Sequence, residues 1–482
     1  MDKLKNKLLF QSNSYIDGNW FVTDKNFEVT NPASGEVIAH VSDLSIEQAL
    51  NAINKAAESQ KTYKKLVAKD RAKLLKQWYE LILENIDDLA RIMTIEQGKP
   101  LAEAKREIMS GVAYIEWFAE ESKRIYGDTI PRPSDDRRVI VTKEPIGLCA
   151  AVTPWNFPCS MILRKAAPAL AAGCCFILRP SSKTPLTALA LASLAHNAGF
   201  PAGVFNVITS KSHDIANLLT TDDRIKHFSF TGSTDIGKRL MSQCANTVKR
   251  VSLELGGNAP FIIYDDADLT KALDGIIVSK FRNAGQTCAC ADRIYVQKGI
   301  YQDFLEGFLA RVKNLKLGSG LDADTTTGPL IDEDALIKIK ENVADALSKG
   351  AKVEVGGQVS SLGGLFFEPT VLTNVNKDMK VVYEENFGPL AAVIPFETEA
   401  EVITMANDTP YGLASYVYTQ DLGRVVRTSE ELEYGMVGIN AGNFTNETAP
   451  FGGVKQSGLG REGSKYGIDD YVEIKFILIS GI

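Results

Sequence analysis

Histidine is scarce in this sequence, and its scarcity limits the chemistry that the chain can perform. The 482 residues include only four histidines, at positions 40, 196, 213 and 227, and none of them belongs to a cluster with metal-ligand spacing. We therefore expect neither a histidine-based catalytic triad nor a metal centre. Acid–base chemistry must come from carboxylates, lysines or thiols.

Long apolar runs and basic clusters are also missing. No apolar run approaches the roughly 20 residues that a bilayer crossing requires, and the apolar stretch near the start is too short for a signal-peptide core. The net charge is −7 and no lysine–arginine cluster stands out, which argues against a nucleic-acid or anionic-membrane surface. We expect no nucleic-acid partner and no membrane partner.

The cysteines do not form a disulfide framework. There are seven, an odd number, and most lie in apolar segments without the spacing of a disulfide scaffold, at positions 149, 159, 174, 175, 244, 288 and 290. This usage is typical of a reducing compartment, so a cytoplasmic protein is expected.

The order of apolar segments predicts an α/β fold. From Gly147 onward, short buried strands alternate with helical patterns, and a second such series begins at Ala259. Two doubly wound α/β domains and a small β arm account for the length. The predicted limits are 1–125 with 140–254 for a dinucleotide-binding domain, 255–440 for a catalytic domain, and 126–139 with 441–482 for an oligomerisation arm and closing segment.

One thiol lies in polar surroundings. The stretch Phe281–Cys290 places Cys288 in a glycine-, glutamine- and threonine-containing loop between a helical run and an apolar strand. A thiolate is the strongest neutral-pH nucleophile among side chains, so this loop is a candidate for covalent catalysis. Most cysteines are inert apolar fillers, and the loop alone leaves both interpretations open.

Two further segments carry candidate catalytic groups. Asn156 lies between two prolines in Thr153–Pro158, where a stiff turn could aim its amide at a developing oxyanion, although a plain turn is an equal alternative. Glu254 ends an apolar strand, where burial would raise its pKa and make it a general base. An ion-paired structural glutamate is the alternative there.

Two glycine motifs compete for a phosphate. The literal GxGxxG at 458–463 follows no strand and too little chain remains after it for a βαβ unit, so it is rejected as a dinucleotide loop. In Phe230–Gly237 a strand runs through a Gly-Ser turn into a helix, and Ser233 with free N–H groups would suit a phosphate. An ordinary serine N-cap is the alternative.

Five motifs in this order resemble those of the NAD(P)-dependent aldehyde dehydrogenase family. They are PWNFP, FTGS, LELGG, GQTC and EENFGP, at 154–158, 230–233, 253–257, 285–288 and 384–389. The resemblance covers essentially the whole chain. Within the family it is greatest to the succinate-semialdehyde dehydrogenase branch, on the evidence of residues 279–290 and 458–467.

The resemblance implies a covalent mechanism. Cys288 would attack the aldehyde carbon, and Asn156 with the Cys288 N–H would stabilise the oxyanion. An aldehyde carbon can give up hydride to the nicotinamide only after a nucleophile has made it tetrahedral. Glu254 would then activate the water that hydrolyses the thioester. Lys165 and Glu462 match positions that relay protons or organise the cofactor in relatives.

The resemblance also implies a cofactor site without a metal. The matching positions are Trp155, Arg179, Ser182, Gly232, Ser233, Leu255, Glu385 and Phe387. NAD-preferring relatives often carry glutamate where Ser182 stands, and Arg179 with Ser182 could hold a 2′-phosphate. NADP is therefore the expected cofactor and NAD the alternative.

The substrate expected from the resemblance is succinate semialdehyde. Arg164, Arg282 and Thr445 match the positions that hold the distal carboxylate in that branch. Asn443 and Phe444 replace expected aliphatic residues, so glutarate semialdehyde and general aldehydes remain rivals. A cofactor-independent thiol hydrolase is the rival from another class, because it could use the same thiol, amide and carboxylate.

Two further expectations come from relatives. Cys290 is a candidate redox switch through a reversible disulfide with Cys288, and a buried filler is the alternative. A homo-oligomer, either a dimer or a dimer of dimers, is also expected.

Overall fold

A computed structural model describes residues 3–444 and 446–482 of the chain. The helices are α1 (Ile46–Tyr63), α2 (Ala68–Glu84), α3 (Ile86–Gln97), α4 (Leu101–Glu121), α5 (Ser160–Ala172), α6 (Pro185–Asn197), α7 (His213–Thr221), α8 (Thr234–Cys244), α9 (Leu269–Phe281), α10 (Tyr301–Lys313), α11 (Glu333–Ser348), α12 (Lys380–Tyr383), α13 (Glu399–Asn407) and α14 (Leu422–Glu431).

Strands alternate with these helices over most of the chain. They are β1 (Ser14–Ile16), β2 (Asn19–Phe21), β3 (Asn26–Thr30), β4 (Val37–Ser42), β5 (Asp128–Ile130), β6 (Arg137–Pro145), β7 (Leu148–Val152), β8 (Phe176–Arg179), β9 (Phe205–Val207), β10 (Ile225–Thr231), β11 (Arg250–Glu254), β12 (Ala259–Ile263), β13 (Ala291–Gln297), β14 (Lys352–Val355), β15 (Thr370–Thr373), β16 (Leu390–Phe396), β17 (Ala414–Tyr418), β18 (Met436–Ile439), β19 (Gly458–Leu459) and β20 (Val472–Ser480).

The first sheet is built from the strand series that begins near Gly147. Its order in the described residues is β19-β11-β10-β7-β8-β9-β1-β2, and its central strands β11 to β9 are parallel. Strands β7 and β8 are buried along their whole length because helices cover both faces of the sheet. The predicted doubly wound α/β class is confirmed.

The second sheet has the order β14-β15-β16-β13-β12-β17-β18 and is parallel except for its edge strand β14. Strand β12 is fully buried, and β13 is buried except at its last residue. Helix α9 leads from β12 to the turn that carries Cys288, and β13 follows this turn directly. The second sheet therefore fixes both ends of the turn.

A third sheet, β20-β6-β5, forms the arm. The closing strand β20 pairs antiparallel with β6 of the same chain over its whole length. Alternate residues of β20 point apolar side chains at solvent, with Ile474 71% and Phe476 65% exposed. Strand β6 crosses the predicted limit at residue 139, and the domain limits stay a prediction.

Parallel topology brings several loops together at one edge of the first sheet. The loops after β7, β10 and β11 begin at the carboxyl ends of neighbouring parallel strands, where ligands bind in open α/β sheets. Asn156 and Ser233 lie in two of these loops, and Glu254 is the last residue of β11. Within residues 3–444 and 446–482, no helix is long and apolar enough to cross a membrane and no group of side chains has the make-up of a metal site.

Candidate active site

Two cavities meet at Cys288. One has a volume of about 640 Å³ and is lined by Arg164, Arg282 and Cys288 among others. The other has a volume of about 450 Å³ and is lined by Asn156, Glu254 and Cys288. The thiol is half-buried where the two spaces join, so it can contact a molecule on either side.

A strained turn delivers the thiol to this junction. Asn283, Ala284 and Gly285 follow one another at φ values of 53°, 55° and 73°, in the left-handed region that non-glycine residues rarely adopt. A Cβ at Gly285 would lie 2.1 Å from the carbonyl oxygen of Gly388, so only glycine fits there. Such strain persists where the surroundings enforce it. Here Glu103 enforces it by accepting the Asn283 N–H at 2.8 Å.

The electrostatics of the site keep the thiol protonated at rest. Burial, and then the negative charge of Glu254, raise the pKa of Cys288 to about 12, while Arg164 and Arg282 act in the opposite direction. The thiolate is the nucleophilic form, so a base must take its proton before it can attack. Glu254 is one of the carboxylates that line the smaller cavity with Cys288.

Glu254 has the environment of a base. It ends β11, its side chain is 4% exposed, and its Oε2 has no hydrogen-bond partner among the described residues. Burial and the nearby charge of Glu462 raise its pKa well above the usual carboxyl value, and Lys165 and Arg164 oppose them. A carboxylate with a raised pKa is a stronger base, so the environment favours the predicted role over an ion-paired structural one.

Asn156 is held by main-chain and side-chain contacts. Its Nδ2 donates to the carbonyl of Gln286 at 3.0 Å, and its own carbonyl accepts from Lys99 and from the side chain of Asn283. An amide nitrogen has two N–H groups, so one remains for an oxyanion beside Cys288. The Asn156 side chain is therefore held in one orientation.

Lys165 and Glu462 form a buried ion pair beside Glu254. Lys165 Nζ donates to Glu462 Oε1, and their side chains are 1% and 8% exposed. Glu462 Oε2 lies 3.9 Å from Arg164 Nη1. These charges act on Glu254 electrostatically: Glu462 raises the pKa of its carboxyl, and Lys165 and Arg164 lower it.

The larger cavity is cationic with aromatic walls. The Arg164 guanidinium lies over the rings of Tyr114, at 4.8 Å, and Phe451, at 4.4 Å. Within the described residues its Nε and Nη1 are buried without a hydrogen-bond partner. Arg282 lies 5.4 Å from the ring of Phe157. Buried cationic groups with unused donors are the features that an anionic ligand complements.

The far end of this cavity contains the residues in which the chain departs from the succinate-semialdehyde branch. Arg282 Nη1 donates to Asn443 Oδ1 at 3.3 Å, and the ring of Phe444 lies 4.8 Å from that of Tyr416. Asn443 therefore orients one of the two arginines. The third predicted substrate residue, Thr445, lies outside the described residues.

The smaller cavity contains most of the predicted cofactor positions. Six of the eight line it, namely Trp155, Gly232, Ser233, Leu255, Glu385 and Phe387. Ser233 is the N-cap of α8, but its side chain makes no capping hydrogen bond, so the ordinary serine cap is not formed. Its hydroxyl and the first N–H groups of α8 remain for a phosphate, so these residues fit a dinucleotide.

Glu385 and Arg179 occupy different parts of the cofactor region. Glu385 accepts the Gly257 N–H at 3.0 Å, and burial raises its pKa to about 7. Arg179 and Ser182 do not line the smaller cavity. Arg179 Nη2 donates to the carbonyls of Ser210 and Ser212, each at 3.1 Å, so its cation is fixed at the end of β8.

Cys290 has a partner that the sequence did not indicate. Its sulfur accepts a hydrogen bond from Lys280 Nζ at 3.2 Å, and Lys280 also donates to Asp292 Oδ1 at 2.8 Å. All seven cysteines are free thiols, so the Cys288–Cys290 disulfide stays a prediction. The buried lysine and aspartate give Cys290 a structural role in the reduced chain.

Sequence reasoning missed the polar groups that α4 contributes, together with Lys99 just before it. Lys99, Glu103 and Glu107 line the larger cavity and contact the loops that carry Asn156 and Cys288. The Gly98-Lys99-Pro100 break in the helical pattern was a signal for Lys99. Charged residues on the inward face of an otherwise amphipathic helix were the signal for the other two.

The fold and the site fit an oxidoreductase, with a cavity suited to a dinucleotide on one side of the cysteine and a cavity containing two arginines on the other. A family model described as the aldehyde dehydrogenase family matches residues 20–477. The chain belongs to this family, and the predicted family resemblance is confirmed.

Relatives with assigned substrates cover the whole chain. The chain is 57% identical to a 3-sulfolactaldehyde dehydrogenase of Pseudomonas putida, over 100% of both chains. It is 56% identical to a glutarate-semialdehyde dehydrogenase of Pseudomonas aeruginosa, over 100% of both, and to the NADP(+) succinate-semialdehyde dehydrogenase of Escherichia coli, over 99% of both. A crystal structure of succinate-semialdehyde dehydrogenase from Burkholderia pseudomallei matches with a TM-score of 0.98 and 51% identity, over 99% of this chain and 100% of that one.

Proposed function

We propose that this enzyme oxidises succinate semialdehyde to succinate, with NADP+ as its preferred oxidant and a thioester on Cys288 as the intermediate. The observation that carries the proposal is the pair of arginines, Arg164 and Arg282, in the cavity that ends at the thiol. An aldehyde with a distal anionic group would place its two ends at these two features.

Each residue of the site would take part in a different step of the reaction. Cys288 would form the bond to the aldehyde carbon, and Asn156 would donate to the resulting oxyanion. The bound nicotinamide supplies the hydride acceptor. Glu254 would take the proton of the attacking water, and the pair Lys165–Glu462 would carry that proton away from the site.

Rival substrates share the same chemistry. Glutarate semialdehyde is one methylene longer, and the names of two relatives include glutarate semialdehyde and 3-sulfolactaldehyde. Each is an aldehyde with a distal anion, so the arginine pair suits all three. Asn443 contacts Arg282 and would therefore influence which of the three substrates is preferred. A thiol hydrolase is disfavoured, because it would have no use for the smaller cavity with Ser233 and Glu385.

Replacing Arg282 by alanine should lower kcat/KM for succinate semialdehyde by roughly 100-fold, since a charge-assisted contact to a carboxylate is worth a few kcal/mol in a desolvated site. Activity on propanal, which has no anionic group, should change far less. Reduced-nicotinamide absorbance measures both rates.

Arg106→Ala is the matched control for Arg282→Ala. Arg106 is exposed at the rim of the same cavity, so its removal deletes the same charge without deleting the proposed contact. It should leave the ratio of the two rates almost unchanged. Equal losses on both substrates in Arg282→Ala would contradict the carboxylate contact.

The cofactor preference has its own test. Arg179 is held near the end of β8, and Ser182 adds no carboxylate that would repel a 2′-phosphate. We expect kcat/KM to be higher with NADP+ than with NAD+, and the Ser182→Glu variant to shift the ratio towards NAD+ by at least about tenfold. A wild-type enzyme that uses NAD+ equally well or better would contradict this preference.

A second copy of this chain is the partner that the arm fits. Ile474, Phe476 and Leu478 form an apolar row on β20, and burial of each such side chain contributes about 1.5–3 kcal/mol. We infer a homo-oligomer that covers this row.

The seven free thiols of the chain support a reducing cytoplasm as the compartment of the protein.

A further inference from the structure

A buried ion pair forms hydrogen bonds to the turn that carries Asn156. Lys99 Nζ lies 2.5 Å from Glu107 Oε2, and the two side chains are 1% and 2% exposed. Lys99 precedes α4 and Glu107 lies two turns along it, so one helix end supplies both charges.

Both members of the pair bond to the main chain of the same turn. Lys99 Nζ donates to the carbonyl of Asn156 at 2.7 Å. Glu107 Oε1 accepts the N–H groups of Cys159 and Ser160, at 2.8 Å and 3.2 Å. The ion pair therefore bonds to the turn at two places. Lys99 binds its carbonyl at Asn156, and Glu107 binds two N–H groups three and four residues later.

Stability alone does not account for this arrangement. Desolvating two charges costs several kcal/mol per ion, and well-packed apolar residues often replace a buried pair without loss of stability. What an apolar pair could not do is fix one carbonyl and two N–H groups of a catalytic turn. Pre-organised donors are worth most when they need not reorient during the reaction.

Further hydrogen bonds connect Asn156 to the turn that precedes Cys288. The carbonyl of Asn156 also accepts from Asn283 Nδ2 at 3.1 Å, and Asn156 Nδ2 donates to the carbonyl of Gln286 at 3.0 Å. Asn283 and Gln286 belong to the strained turn before Cys288. The Asn156 carbonyl is therefore shared between the ion pair and the turn that leads to the thiol.

We propose that Lys99 and Glu107 are positioning residues that hold the Asn156 amide in place for the oxyanion formed at Cys288. The proposal rests on the proposed function, because an oxyanion forms only if Cys288 adds to a carbonyl. Neither residue touches the reacting atoms through its own charge. Their effect should therefore be on kcat, with little change in KM for the semialdehyde.

The test is the double variant Lys99→Met/Glu107→Gln, which leaves no unpaired charge in the interior. The glutamine oxygen can still accept the two N–H groups, so the thermal midpoint should stay close to that of the wild type. We expect kcat to fall on the order of 10- to 100-fold, because a misplaced donor costs up to about 100-fold. The control is Lys249→Met, which removes a buried lysine-to-carbonyl contact to Asp222 at the opposite end of β11 and should leave kcat unchanged.

Hydrolysis of p-nitrophenyl acetate separates this proposal from the proposed function. Attack of Cys288 on the ester also forms an oxyanion but requires no nicotinamide, so it reports on Asn156 even if the wild type oxidises no semialdehyde. A parallel fall in ester hydrolysis is the expected result. A double variant with wild-type rates in both assays would overturn the positioning role.

Lys99→Arg supplies a second variant in case the double variant does not fold. It keeps the charge opposite Glu107 but replaces the compact ammonium by a planar guanidinium, whose N–H groups do not reach the Asn156 carbonyl in the same geometry. A normal thermal midpoint with a several-fold lower kcat is expected, and an unchanged kcat would contradict the proposal.

Discussion

The Cys288→Ser variant should lose aldehyde oxidation by a factor on the order of 10⁴ or more, the largest effect expected of any single change. A serine hydroxyl releases its proton far less readily than a thiol, and the base available in the cavity is the carboxylate of Glu254 rather than an imidazole. Without the thiolate no tetrahedral adduct forms, and an aldehyde carbon then has no hydride to give. The rate of reduced-nicotinamide formation measures the loss.

Cys290→Ser is the matched control for this variant. The same substitution is made two residues further along, but the Cys290 sulfur contacts Lys280 and lines neither cavity. A serine oxygen can also accept from Lys280, so activity should fall by less than about tenfold. Comparable losses in the two variants would show that packing of the loop, rather than the nucleophile, limits the rate.

The main features of the fold could be predicted from local pattern. Apolar runs such as Leu148–Val152 and Cys174–Leu178, each followed by a helical pattern, predict parallel strands because both faces of such strands are covered. The positions of Asn156, Ser233 and Glu254 followed from this topology, since each lies at or just beyond the carboxyl end of a parallel strand. The position of the thiol depends instead on a turn with three left-handed residues. Among these, Gly285 was the residue whose type indicated such a backbone conformation.

Contacts between distant parts of the chain could not be predicted. Nothing near Cys290 indicates that Lys280 reaches its sulfur, and nothing near Asn156 indicates that Lys99 reaches its carbonyl. These contacts depend on how α4 and α9 pack, and one sequence does not specify that packing. Strand β20 is similar, because its alternating pattern predicts pairing but does not say whether the partner strand is in the same chain.

Glu254→Gln should separate the two halves of the reaction. A glutamine amide cannot accept a proton, so water would no longer be activated and thioester hydrolysis should slow by roughly 10²- to 10⁴-fold. Formation of the thioester needs only the deprotonation of Cys288, a step in which solvent can substitute for Glu254, so it should slow less than thioester hydrolysis does. We therefore expect an initial burst of reduced nicotinamide close to one per active site, followed by a slow steady rate.

The pH dependence gives an independent measure of the same residue. Burial and Glu462 raise the pKa of Glu254 well above the usual carboxyl value, so the group is protonated and inactive as a base below that raised pKa. In the wild type, kcat should rise with pH through a range well above that of an ordinary carboxyl group, and Glu254→Gln should lose this rise. Lys165 lowers the same pKa, so Lys165→Met should move the rise to still higher pH. A rise that persists unchanged in Glu254→Gln would assign the base to a different group, and a burst without turnover would then have to arise from slow product release.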